Sequence, residues 1–156
     1  MTKRCFECGQ NRVEDTTVKE SLTVGEYTFF AQLSARKCSN CGSTRFSAET
    51  LAAFELGVAV KLAQAGVNSG DSVKFMRKTI QLRAMDLAAL LGVTPETVSR
   101  WETGKLPVEH RALALLGSLV LEKAEGRTAI LDLLRSLNEP KPLNRDIEIQ
   151  VEPSAT

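Results

Sequence analysis

Ala84-Met85-Asp86-Leu87-Ala88-Ala89-Leu90-Leu91-Gly92-Val93-Thr94-Pro95-Glu96-Thr97-Val98-Ser99-Arg100-Trp101-Glu102-Thr103 reads as one helix, a tight turn and a second helix. Leu87 and Leu91 give the first helix an inner face, Ala88 is small enough for a close helix crossing, and Gly92 supplies the turn. Thr94 is a good N-cap, Pro95 sits at the first helical position where its missing N–H costs nothing, and Glu96 complements the helix dipole. Val93, Val98 and Trp101 form the buried face of the second helix, which Gly104 ends.

With Val98 and Trp101 inward, helical geometry turns Glu96, Thr97 and Arg100 outward together. Those positions meet base edges when such a helix enters a major groove. Arg100 can pair bidentately with guanine, Thr97 can bond a base or touch a thymine methyl, and Glu96 can accept from cytosine N4. Thr94, Ser99, Lys105 and the amides at the helix N-terminus suit phosphate contacts. A merely solvated face is the bland alternative, but core, turn and cap positions agree here, and agreement across levels is the stronger evidence. Charge supports this reading: residues 72–106 carry six basic side chains against three acidic ones, a local +3 within a chain whose total is +1.

Upstream, Cys5-Phe6-Glu7-Cys8-Gly9 and Cys38-Ser39-Asn40-Cys41-Gly42 are two C-x-x-C-G units with 29 residues between Cys8 and Cys38, and they hold all four cysteines of the chain. A C-x-x-C turn lets two thiolates converge on one ion, so the pair of turns predicts a closed tetrahedral site of Cys5, Cys8, Cys38 and Cys41. One structural zinc ion is the expected occupant; iron also fits four sulfurs. Disulfides fit a reducing compartment poorly, and neither turn has the strand-to-helix setting of a thioredoxin-type redox pair. His110, the lone histidine, is distant in sequence and reads as a surface or interface side chain. Some 46 residues bury little apolar surface, so metal binding should supply folding free energy to this region.

Around these motifs the chain divides. The segments 13–22 and 27–36 are β-type and flank Gly25, which predicts a hairpin. Ser47 caps a helix over about 47–66, with Leu51, Phe54, Val58, Leu62 and Ala65 at helical spacing. Asn68-Ser69-Gly70-Asp71 is a cluster of turn formers and marks the boundary. About five helices follow between Ser72 and Leu137. The expected organisation is thus a zinc-binding domain with its linking helix at 1–68, a helix-turn-helix domain with additional C-terminal helices at 69–139, and a flexible tail at 140–156. The fold class is α+β: a small four-cysteine zinc-knuckle β domain joined to an all-α domain.

Composition excludes other classes. With 43% hydrophobic and 25% charged residues the chain is globular. Its longest apolar stretch, Leu51 to Leu62, is broken by Glu55 and Lys61 and falls short of a membrane span. The first residues carry charges and cysteines rather than an apolar signal region, so a cytoplasmic location is expected. No paired acid–base constellation, phosphate-binding loop or nucleophile motif points to an enzyme.

Residues from Ser72 to about Leu121 resemble an Xre/Cro-type helix-turn-helix domain, with Arg77 in its first helix and Trp101-Glu102-Thr103-Gly104-Lys105 ending the recognition helix. In that family the arginine and glutamate often pair, which implies an Arg77–Glu102 bond and a structural Glu102. Together with the two knuckles and the intervening helix, residues 4–121 resemble the MqsA/YgiT-type zinc-finger antitoxins. That resemblance implies an N-terminal zinc domain that contacts a toxin, and a C-terminal domain that dimerises and represses its own promoter. Arg83-Ala84 stands where Xre-type domains commonly have Ser or Thr followed by Gln, so the phosphate contact expected of Arg83 replaces a usual one. Glu96 stands where relatives can carry a base-reading amide, and the extension after Leu121 is long for the family.

The expected function is therefore a sequence-specific repressor that binds a palindromic operator as a homodimer, and the antitoxin of a type II pair. A stand-alone regulator without a toxin is the alternative. Leu116, Leu119, Val120, Ile130, Leu133, Leu134 and Leu137 offer apolar surface for the core or for a dimer interface.

Overall fold

The structure is a computed structural model that describes residues 4–140, 142–143 and 145–150. Its elements run β1 (Val13–Val24), β2 (Tyr27–Cys38), β3 (Thr44–Phe46), α1 (Ala48–Gln64), α2 (Gly70–Thr79), α3 (Ala84–Leu91), α4 (Pro95–Glu102), α5 (His110–Ala124) and α6 (Ala129–Asn138). This is the α+β layout expected, a three-stranded antiparallel sheet followed by six helices.

β1 and β2 form one continuous ladder from Val13↔Cys38 to Val24↔Tyr27, closed by Gly25-Glu26. β3 adds to β2 over Ala35–Lys37 alone. Three residues with no alternation of their own carry no strand signal, which is why this strand escapes a reading of the sequence. The hairpin's two ends differ: Val13 and Cys38 lie at the cysteine end, whereas Val24 is buried at the tip and belongs to the helical core.

Helix starts follow local chemistry. The Ser47 hydroxyl accepts from the Thr50 amide at 3.0 Å and starts α1. Ser69 and Ser72 form a reciprocal capping box at α2, each hydroxyl accepting from the other's amide at 3.2 Å. The turn formers at 68–71 are thus an ordered helix start, and the Asn68 side-chain Nδ2 donates to the Val108 carbonyl. Thr94 caps α4, accepting from the Thr97 amide, and Pro95 occupies the first helical position.

The core gathers Val58, Ala59 and Leu62 of α1, Val73 and Met76 of α2, Leu87 and Ala88 of α3, Val98 and Trp101 of α4, and Ala112, Leu116 and Val120 of α5. α1 packs chiefly on α5 and α2, while Leu51 in its first turn stays exposed. On α5 Leu116 and Leu119 go inward and are buried, while Leu113, Leu115 and Leu121 are half-buried. α6 rests on α5 and α3 with no residue fully buried, and leaves Leu133 and Leu137 exposed. Buried Glu122 receives the Ile130 amide at 2.9 Å and so ties the start of α6 to α5. Among the described residues no helix is long and apolar enough to cross a membrane. The tail expected at 140–156 lies outside the described residues at 141, 144 and 151–156; its described residues carry no helix or strand.

Candidate metal centre and nucleic-acid interface

The two knuckles fold alike. At each, the glycine amide turns back to the first cysteine's carbonyl, Gly9 to Cys5 at 2.9 Å and Gly42 to Cys38 at 2.8 Å. Gly9 and Gly42 take φ values of +70° and +76°, a conformation that a Cβ would disfavour. The first cysteine's own amide donates across the turn, Cys5 to Gln10 at 2.8 Å and Cys38 to Ser43 at 2.9 Å. The Ser39 amide bonds the Arg12 carbonyl at 2.9 Å and stitches the second knuckle to the chain leaving the first.

These turns bring the four sulfurs within 4.8 Å of one another. Cys5 Sγ lies 3.7 Å from Cys41 Sγ, and Cys8 Sγ lies 3.7 Å from Cys38 Sγ. A tetrahedron of bonds of about 2.3 Å from zinc to sulfur has edges of about 3.8 Å, so the donor set fits a closed four-thiolate metal site such as that of zinc. The surroundings favour thiolate where the ion would need it. The Ser43 hydroxyl, 3.3 Å from both Cys5 Sγ and Cys41 Sγ, holds both thiols down, Cys5 to about 6, with the Cys8 amide helping at Cys5 and the Ser43 amide at Cys41. Cys8 moves up: the Gln10 amide lowers it, but desolvation and the crowding sulfurs of Cys41 and Cys38 outweigh that. Asn40 Nδ2 lies 3.6 Å from Cys8 Sγ and can donate to it. Nothing in the C-x-x-C-G spacing marks Ser43 or Asn40 as a partner of the sulfurs beyond their place within two residues of Cys41. His110 is exposed at the start of α5 and takes no part.

Beside the knuckles, Phe6 is 76% exposed and its ring lies 4.3 Å beneath the Arg45 guanidinium. A large aromatic held in the open by a cation is a ready contact for another molecule.

At the other end, α3 and α4 form the helix-turn-helix. Gly92 closes α3 with φ +66°, and Val98 and Trp101 are 0% and 1% exposed beneath α4. The Arg77 and Glu102 side chains, each 9% exposed, meet in a bidentate pair, Nε to Oε1 at 2.5 Å and Nη2 to Oε2 at 3.1 Å. Arg77 Nη1 also donates to the Leu82 carbonyl at 2.6 Å, so one guanidinium fixes α4 and the entrance to α3 together.

Above that buried base, Glu96, Ser99 and Arg100 are exposed on α4, Thr97 is half-buried, and Lys105 is exposed just beyond the helix. Thr94 and Thr97 are engaged locally, their hydroxyls 3.1 Å apart. Arg83 lies at the N-cap of α3 and gives its guanidinium to Asp86 at 2.7 and 2.9 Å, which raises the arginine pKa and lowers that of the carboxyl. Of the seven candidate DNA-contacting residues five lie along α4 and its exit, Thr94 caps α4, and Arg83 stands at the N-cap of α3 with its guanidinium held by the Asp86 carboxylate.

No curated protein matches the chain. A family model for MqsA, the antitoxin component of a bacterial toxin-antitoxin system, matches residues 3–135, a span that contains both knuckles, the linking helix and the whole helix-turn-helix. On that match the chain belongs to the MqsA antitoxin family, and its four-cysteine cluster lies in the N-terminal part of the matched span.

Proposed function

We propose that this protein is a sequence-specific DNA-binding repressor acting in the cytoplasm, the antitoxin of a type II pair, and that it binds a palindromic operator in its own promoter as a homodimer. The observation that carries this reading is α4: apolar and fully buried on one side, polar and exposed on the other, and clamped at its end by the Arg77–Glu102 pair. Such a helix offers rigid donors at fixed spacing, which direct readout requires. Arg100 and Glu96 read bases, Thr97 adds a methyl or hydroxyl contact, and Thr94, Ser99, Lys105 and Arg83 position the backbone. One helix-turn-helix contacts few base pairs, so two copies on half-sites one helical turn apart supply the selectivity.

In this reading the knuckles hold one zinc ion that maintains the N-terminal region, and the toxin is met at that end, where Phe6 and Arg45 stand exposed beside the cluster. The role we assign to the chain is regulatory, in keeping with its antitoxin family.

The test is Arg100→Ala with operator binding measured across base-pair variants. The expected loss is about 1–3 kcal/mol with relaxed selectivity at one position, whereas Lys105→Ala weakens all sequences evenly and flattens the salt dependence. Unchanged affinity and selectivity for Arg100→Ala would refute the recognition face. Co-purification with the product of a neighbouring small gene separates the antitoxin reading from a stand-alone regulator.

A further inference from the structure

We propose that the C-terminal segment Arg145–Gln150 of one copy adds as a strand to the open edge of β2 in a second copy, beside α1. The sheet leaves that edge free. β3 covers β2 only across Ala35–Lys37, so Tyr27–Ser34 has no strand partner on that side among the described residues. A groove of about 950 Å³ runs between this edge and α1, with Phe29, Leu33, Phe54 and Val58 in its wall. Unpaired backbone groups next to apolar hollows are what strand addition uses: the main chain supplies hydrogen bonds and alternate side chains fill the hollows.

The chain carries a segment of that kind. Asp146-Ile147-Glu148-Ile149-Gln150 alternates acidic or polar with β-branched residues, the pattern of a strand with one apolar face. It forms no helix or strand, and Ile147 and Ile149 are 47% and 73% exposed. Both isoleucines stand at strand spacing and keep apolar surface in water, Ile149 most of it, that a second chain can cover.

The faces match. Along β2, Phe29, Ala31 and Leu33 point toward α1 and Phe30 and Gln32 away from it, as their alternating burial shows. A strand added here with Ile147 and Ile149 toward α1 turns Asp146 and Glu148 to the opposite face. On that face Lys19 reaches from β1 across to the edge strand, its Nζ 4.7 Å over the ring of Phe30. The charges complement, and six residues at about 3.3 Å each lie within an eight-residue edge.

The segment's own position selects the second copy. The helix before it, α6, is anchored at its end by Asn138, whose side chain bonds the Ala89 carbonyl of α3 at 3.3 Å. None of residues 145–150 lines the groove of the same chain, which leaves that groove open to the segment of another copy.

The test uses the full-length, metal-loaded protein with benzoylphenylalanine, a photo-crosslinking residue, in place of Ile149, and equal parts of light and ¹⁵N-labelled chains. Irradiation is expected to give covalent dimers in which a light tail peptide joins a heavy peptide from 27–34 or 53–58, and the reverse. Ile147→Asp in the same chain, a change at an exposed position that leaves the fold intact, should abolish those adducts. Adducts within one chain, adducts that map elsewhere on the partner, no covalent dimer, or an adduct yield unmoved by Ile147→Asp would each overturn the proposal. Operator binding plays no part in this readout, so it fails or holds independently of the repressor reading.

Discussion

From residue 4 to residue 46 the buried hydrophobic side chains are Cys5, Val24, Leu33, Ala35 and Cys38. Two of them are thiols of the cluster and Val24 belongs to the helical core, so the sheet keeps almost nothing of its own. The helices from α1 to α5 bury Trp101, Leu62, Met76, Leu87 and Leu116, each at 1% exposure or less, around a single cluster. The same chain thus offers two means of order: a four-thiolate cluster that could hold an ion where the segment is too short to hide apolar surface, and close packing where it is not. Perturbations should therefore sort by end.

The largest effect is expected from the cluster. Cys38→Ser, or strong chelation, removes metal-binding free energy that runs at about 10–16 kcal/mol in small zinc modules. Hydrogen exchange should show loss of protection over Cys5–Arg12 and Cys38–Phe46, while amides of α2 to α5 stay protected. Identical exchange at both ends before and after confirmed metal loss would mean that the sheet stands without its ion.

The motifs that were legible in the sequence are those closed within a few residues. The C-x-x-C-G spacing, the Ser47 and Thr94 caps and the Gly92 turn each depend on neighbours along the chain, and the structure shows their geometry directly. What stayed hidden depends on distant partners. β3 exists because Ala35–Lys37 happens to pass alongside it, Val24 leaves the sheet for the helical core, and Glu122 is buried because α6 folds back onto it. At the candidate sites the clustering of the four sulfurs is legible from spacing alone. The Ser43 bonds to two of them and the Asp86 grip on Arg83 follow from side-chain directions that no spacing encodes.

At the packed end, Glu102→Ala should be the next most costly change. It strands the Arg77 guanidinium, whose Nε and Nη2 protons would lose both carboxylate oxygens in a site 9% exposed. Removal of one member of a buried pair costs about 3–5 kcal/mol. A urea midpoint should fall accordingly, with bound metal per chain unchanged; loss of metal in step with stability would show that the two ends unfold as one unit.

A smaller cost is expected from Gly70→Ala. A Cβ at Gly70 would stand 2.5 Å from the Trp101 carbonyl oxygen and 2.7 Å from that of Glu102, both backbone atoms that cannot swing aside. Alanine's helix propensity favours the change by up to about 1 kcal/mol, and forced backbone displacement opposes it by about 1–3 kcal/mol. Net destabilisation is therefore the expected sign, and because α4 is what must move, operator affinity should fall with it. A more stable Gly70→Ala protein would show that α2 and α4 are less tightly seated than their backbone contact implies.

Asp86→Asn should do least to the fold and most to separate stability from the proposed DNA contact. The pair is open to water, its side chains 73% and 42% exposed, so solvent screening leaves it little influence on folding. What influence it has follows from the carboxyl's lowered pKa: it is present above the ordinary aspartate range and is lost as pH falls through the depressed value. Wild type and Asp86→Asn should thus differ slightly in thermal midpoint at neutral pH and converge in acid. On DNA the change frees the Arg83 guanidinium and removes a carboxylate beside the phosphates, so binding should tighten and its salt slope steepen by up to about 1. A salt slope that stays the same while the midpoints behave as described would leave Arg83 as an ornament of α3 and remove it from the backbone contacts.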